Sequence, residues 1–265
     1  MTNPAEELNP RRLILALLDT HSEPVTPSKI LIRSGEAFGF SANQIRAALS
    51  RLVSEGLLEN PARGDYSLSR EGALLRQEIS EWRFLDKHRI VWKGSWCAVL
   101  TENLANEGST LYRRQVRSLT LRGLERWRPG LWVRPDNLRG GRKRLIKDLQ
   151  DLGLNAIQGS FLVKQPDQAC TSQLTGLWDC DELNSNYQLQ TALLNDSIRK
   201  LSGLSLNDSI VESLKIGSST VRLLMKDPLL PDEMLDNDGR EQLIATMTLY
   251  DDIGKQCWSD FYSSF

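Results

Sequence analysis

Histidine is nearly missing from this chain. Its two copies, His21 and His88, are far apart. That leaves a histidine-based metal cluster or a Ser-His-Asp triad little to be built from. The four cysteines, Cys97, Cys170, Cys180 and Cys257, form no CxxC pair and read as reduced thiols. No run of about eighteen apolar residues occurs, so no membrane span is expected. The opening MTNPAEELNPRR is acidic and polar, unlike a signal peptide. Together these absences lead to the expectation of a cytoplasmic protein without a membrane partner. GxGxxG and P-loop sequences are also missing, and Gly140-Gly141 is too bare a pair to cradle a phosphate. No catalytic residue, cofactor or metal ligand is expected.

What is present is an ordinary soluble composition, 40% hydrophobic and 25% charged over 265 residues, enough for two or three small domains. The net charge is −1, but the charges are segregated. From Arg113 to Lys147 there are twelve basic residues against two acidic ones, Glu125 and Asp136. Beyond Asp167 the balance reverses, with DCDEL, PDEMLDNDG and YDD. Such asymmetry points to different tasks for the parts, or to contact between them.

Periodicity predicts a first helix over Asn9–Asp19, with Leu13, Ile14, Leu17 and Leu18 on one face. Thr26-Pro27 reads as an N-cap followed by proline at the first helical position of SKILIRSGEAF, which turns Ile30, Leu31 and Ala37 inward and ends at Gly39. Ser41 caps a third helix whose stripe is Ile45, Ala48, Leu49, Leu52 and Val53, with Gly56 as its stop. LLE and DYSLS then flank the turn NPARG as a hairpin. Three helices and a hairpin describe a winged helix-turn-helix.

The outer face of that third helix carries Asn43, Ala47 and Ser50, flanked by Gln44, Arg46 and Arg51. Small residues at its centre allow close approach to a groove. Asn and Gln pair with adenine edges and Arg with guanine. Arg63 falls at the wing tip, where phosphates would be met. Thr26, Ser28, Lys29 and Ser41 are counted with these residues as DNA-contacting.

Ser69 caps a further helix, REGALLRQEISEWRFLDKH. WKGSWCAVL reads as a turn entering a buried strand, LYRRQVRSLTLRGLERW as a basic helix, and RPGLWVRPDNL as a strand with Trp132 buried at its centre. GGRKRLIKDLQDLG is a helix and NAIQGSFLVK a strand, which together suggest a ferredoxin-like α+β sandwich. From LWDCDEL onward the chain is mostly helical. The expected class is therefore α+β, divided into a winged helix at 1–70, a connecting helix at 71–91, a ferredoxin-like domain at 92–166 and a helical region at 167–265. The last is expected to serve dimerisation or effector binding. The arginine-rich stretch has three readings. It is a solvated or intersubunit face, an anchor for DNA phosphates, or a site where Arg122, Arg126, Arg128 and Arg134 hold an effector's phosphates bidentately.

SANQIRAALSRLVSEGLLE, GLWVRPDNL, LWDCDELNSNY and DPLLPDEML, in that order, make the chain resemble the PaaX family of phenylacetic acid degradation repressors. The resemblance implies a winged helix, a ferredoxin-like domain and a helical region. It further implies a homodimeric regulator on double-stranded operator DNA, released by an aryl acyl-CoA such as phenylacetyl-CoA. The family's central domain is similar to the small nuclease-like subunit of CRISPR adaptation complexes, which holds a divalent metal with an aspartate at the end of its first strand. Here VLTENL places Glu102 near that point and offers no aspartate, so metal-dependent cleavage is not expected. A nucleic-acid-processing enzyme or accessory protein on this domain is the alternative reading.

Overall fold

The computed structural model describes residues 8–20, 25–101 and 104–264. His21 and Glu102 lie outside the described residues. Helices combine with two small antiparallel sheets, so the chain is α+β, as expected. It divides into two compact units, residues 1–81, 191–221 and 245–265 forming the first, and 82–190 and 222–244 the second.

In the first unit, α1 (Pro10–Thr20) begins one residue later than predicted because Asn9 lies before it and accepts the Arg12 backbone N–H at 3.0 Å. The chain continues through β1 (Thr26–Pro27), α2 (Ser28–Ala37), α3 (Ala42–Ser54), β2 (Leu58–Glu59), β3 (Asp65–Leu68) and α4 (Arg70–Ser80). The sheet order is β1-β3-β2, with Thr26 opposite Tyr66 and Leu58 opposite Leu68. The helical stripes read from the sequence meet in one core of Leu13, Ile14, Leu17, Leu31, Ile45, Leu49 and Leu52. Val53 is a correction: it lies at the margin of its stripe and is 36% exposed. Residues distant in sequence complete the core. Ile210 of α9 (Leu206–Met225) and Trp258 and Phe261 of α10 (Asp238–Tyr262) belong to it, and Trp258 stacks on Phe38 with ring centroids 6.2 Å apart.

The second unit holds a sheet of β4 (Trp96–Leu100), β5 (Glu125–Arg128), β6 (Leu131–Pro135) and β7 (Gly159–Val163) in the order β5-β6-β4-β7, every neighbour antiparallel. Helices α5 (Thr110–Thr120) and α6 (Gly141–Asp151) set Leu119, Leu145 and Leu149 against Cys97, Val99 and Trp132 of the sheet. Trp96 stacks on Trp178 at 6.0 Å, between α7 (Gln168–Thr175) and α8 (Cys180–Leu201).

Two expectations fail here. The long helix opening at Ser69 is instead α4 followed by a 3-10 run, Glu81–His88, interrupted at Phe84 (φ −123°). Glu125, Arg126 and Trp127, read as the end of the basic helix, lie in strand β5: Gly123 (φ +69°) stops α5, and a Cβ there would lie 2.7 Å from the Pro228 carbonyl oxygen. Among the described residues no helix is long and apolar enough to cross a membrane.

Candidate nucleic-acid interface

Ser41 and Gln44 close a reciprocal box at the start of α3, as the Ser41 hydroxyl accepts the Gln44 N–H at 3.3 Å and the Gln44 amide oxygen accepts the Ser41 N–H at 2.8 Å. Two side chains expected on DNA therefore also hold the helix end. At the other end Gly56 (φ +73°) donates to the Val53 carbonyl at 3.0 Å and Leu57 to the Leu52 carbonyl at 3.0 Å, a Schellman stop. A helix fixed at both ends presents its outer face rigidly. That face consists of Asn43, Arg46, Ala47, Ser50 and Arg51, all exposed, and α3 carries no acidic residue. Arg46 donates to the Asn43 amide oxygen at 3.4 Å, a long bond that leaves most of its guanidinium available.

The hairpin stands beside this helix. Asn60 donates to the Asp65 carbonyl at 2.8 Å and Asp65 N–H to the Ala62 carbonyl at 3.0 Å, which shapes a narrow tip, Pro61-Ala62-Arg63-Gly64. Ser28 N–H donates to the Gly64 carbonyl at 2.7 Å, so the start of α2, with exposed Lys29, is tied to the tip that carries exposed Arg63. Ser50 and Val53 of α3 line a shallow open groove with Asn60, Pro61, Ala62, Arg63, Gly64 and Tyr66. Reading the sequence missed the groove-lining role of Val53, Asn60 and Pro61; the turn composition NPARG was the available signal for the last two.

Thr26 is a correction. It is a strand residue, 1% exposed and paired with Tyr66, and α2 starts from Pro27 without a side-chain cap. No surface for DNA remains on it.

The four arginines read as effector ligands each have a different side-chain partner or surrounding. Arg126 pairs with Glu107 at 3.4 Å, and Arg128 donates to Gln173 at 2.9 Å. Arg122 faces Asp148 at 3.8 Å. Arg134 is the second correction, being 3% exposed in β6 with its guanidinium bonded to four oxygens. These are the Pro135 carbonyl at 3.2 Å, the Asn137 side chain at 3.1 Å, the Pro228 carbonyl at 3.2 Å and the Arg122 carbonyl. Desolvation pushes its pKa down to about 10, so it stays a cation at neutral pH. Its bonds organise the protein interior, and no donor points to a ligand.

That interior also explains three of the quoted motifs. Asn137 of RPDNL donates to the Leu229 carbonyl at 2.7 Å. Asp227 of DPLLPDEML accepts the Tyr187 hydroxyl at 2.6 Å and the Leu229 N–H at 2.7 Å, holding Leu229 at φ +51°. Tyr187 comes from LWDCDELNSNY. Burial and the Asp227 carboxylate raise its pKa well above the ordinary range for a phenol. Fully buried Arg240 donates to Asp86 at 2.9 Å and faces Asp227 at 3.6 Å.

Among the described residues no group of three or more His, Cys, Asp or Glu side chains could hold a metal, and the four cysteines are free. Residues 9–72 match the family described as PaaX-like protein. No curated protein matches the sequence. The solved structure of the uncharacterized protein Rv0674 from Mycobacterium tuberculosis is similar, with a TM-score of 0.62 and 21% identity, covering 95% of this chain and 100% of that one. At that identity the likeness concerns the fold. Over residues 9–72 the resemblance to PaaX-like proteins read from the sequence is borne out, and that match suggests a regulator of transcription.

Proposed function

We propose that this PaaX-like chain is a transcription regulator whose winged helix-turn-helix lays α3 in the major groove of operator DNA. The observation that carries the reading is the exposed, acid-free face of α3, fixed at both ends and joined through one groove to the Arg63 hairpin. In the groove Arg46 and Asn43 reach base edges, while Ala47 and Ser50 permit close approach. Arg63 and Lys29 meet phosphates and set the register. The chain acts without catalysis, as a repressor of an aromatic-acid catabolic operon, and its second unit has the strand and helix order of a ferredoxin-like domain.

A single winged helix reads too few base pairs for tight specific binding, so the working species is a homodimer on an imperfect palindrome, with half-sites about 10 base pairs or a multiple apart. An aryl acyl-CoA, with phenylacetyl-CoA as the first candidate, releases the DNA by binding the DNA-incompetent state better. A coupling of about 1–3 kcal/mol would lower DNA affinity roughly 5- to 150-fold. Selection of bound fragments from genomic DNA, followed by titration of the preformed complex with acyl-CoAs and free acids under fluorescence anisotropy, tests both halves. A single enriched palindrome released by a thioester is the expected result. Failure to enrich any sequence overturns the regulator reading, and enrichment without release overturns the effector alone.

A further inference from the structure

The two helices on the sheet of the second unit carry the same pattern of cations. Helix α5 has Arg113, Arg114 and Arg117; α6 has Lys143, Arg144 and Lys147 at the same spacing. Positions separated by three and four lie on one side of a helix, so each triad forms a single stripe. All six side chains are exposed. The helices adjoin, since the Ser118 hydroxyl of α5 donates to the Leu152 carbonyl at the end of α6 at 3.3 Å and both helices pack on the same sheet. No acid lies on α5; on α6 Asp148 is engaged by Arg144 at 2.7 Å, and exposed Asp151 ends the helix, leaving six cations against one unengaged carboxylate. Among the described residues the side chains of Arg113, Arg114, Arg117, Lys143 and Lys147 have no hydrogen-bond or ion-pair partner.

We infer that this two-helix face is a second, sequence-independent surface for the phosphate backbone of duplex DNA. The inference rests on the DNA-binding reading above. Like charges gathered at close, fixed spacing repel one another, and a regular array of phosphates, one negative charge per about 1.7 Å of duplex axis, relieves that repulsion. A folded protein partner would want an aromatic or aliphatic anchor at the centre of its interface. The uncharged exposed positions here are Thr110, Thr120 and Gln150, and exposed Leu111 sits in the first turn of α5, away from the centre. Such a surface contributes affinity and salt dependence, and no base choice.

The test compares the full chain with R113Q/R114Q/R117Q/K143Q/K147Q on a random-sequence duplex, following anisotropy from 50 to 300 mM salt. The wild-type plot of log K against log salt should be steeper by about 0.9 per phosphate contact, or roughly 2 to 4.5 in all for the five cations. The variant's thermal melting should stay unchanged, and R113K/R114K/R117K should keep the wild-type slope. An unchanged slope in the glutamine variant overturns the inference while leaving the winged helix in place. If the wild type binds no duplex at all, the DNA-binding reading falls and this one falls with it. Polyglutamate bound as tightly as duplex, and lost in the glutamine variant, would identify an acidic protein as the partner and overturn it too.

Discussion

Arg46 lies exposed on α3 with one long hydrogen bond, to Asn43 at 3.4 Å, whereas Arg134 lies 3% exposed in β6 with four oxygens around its guanidinium. The sequence offers the same residue in both places, and both read as ligand-contacting. Arg46 is exposed to solvent, so its donors can exchange water for a base edge at little loss. Arg134 has already left water, and every donor it turned toward a ligand would orphan a buried carbonyl. The neighbourhood a fold gives an arginine decides whether its charge faces outward or holds the interior together.

The largest expected effect tests the buried side of that contrast. Arg134→Met should lower unfolding free energy by about 3–5 kcal/mol, because three carbonyls and Asn137 lose their donor. Chemical denaturation measures it, and a loss below about 1 kcal/mol would show that water replaces the guanidinium. Next comes the exposed side: Arg46→Ala should cost roughly 1–3 kcal/mol of affinity for the selected operator and relax base choice there. Its stability should stay within about 0.5 kcal/mol of wild type, which melting curves can check. If Arg46→Ala instead melts early and keeps its affinity, the two arginines have exchanged roles.

Smaller still, Ser41→Ala should remove about 1 kcal/mol of stability through the lost cap, with Gln44→Ala removing part of the same energy and the double variant less than the sum. A last test sharpens the buried side by titration. Desolvation, with the neighbouring Asp136 carboxylate, raises the Cys97 thiol from 9.0 to about 12. The folded chain then keeps its proton where the unfolded chain loses it, so this contribution is complete below pH 9 and is lost as pH climbs toward 12. Denaturation at pH 8 and pH 10.5 should show the decline, and Cys97→Ala should show less of it.

Several elements could be read from residue order because local chemistry alone sets them. Ser41, Gly56 and the Ile45–Leu52 stripe fix α3 within a turn of sequence, and NPARG fixes the hairpin. Trp132 was legible as buried from its apolar neighbours in a short strand. The misreadings arise where distant residues decide. Gly123 had to be glycine because Pro228 approaches it, and nothing within LTLRGLERW announces that contact. Arg134 looked like its neighbours in a basic stretch, since its carbonyl partners at Arg122 and Pro228 are far along the chain. Thr26 could have capped a helix, and pairing with Tyr66 took it into a sheet instead.

Trp258 and Phe261 share a core with Leu13, Leu31 and Ile45, and this makes the module of α1, α2 and α3 late to mature. Residues 10–68 leave the ribosome long before the α10 aromatics that cover them; at 5–20 residues per second the delay is roughly 10–40 s. Throughout that interval the apolar sides of α1, α2 and α3 lack their cover, a surface for chaperones to hold or for aggregation to capture. A premature stop just before Trp258 would leave every side chain proposed to contact DNA encoded. The nascent chain would nonetheless yield a poorly folded reader. Expression of residues 1–70 alone would meet the same difficulty, and a cloned fragment intended to isolate DNA recognition needs the sequence around Ile210 and Trp258 to accompany it.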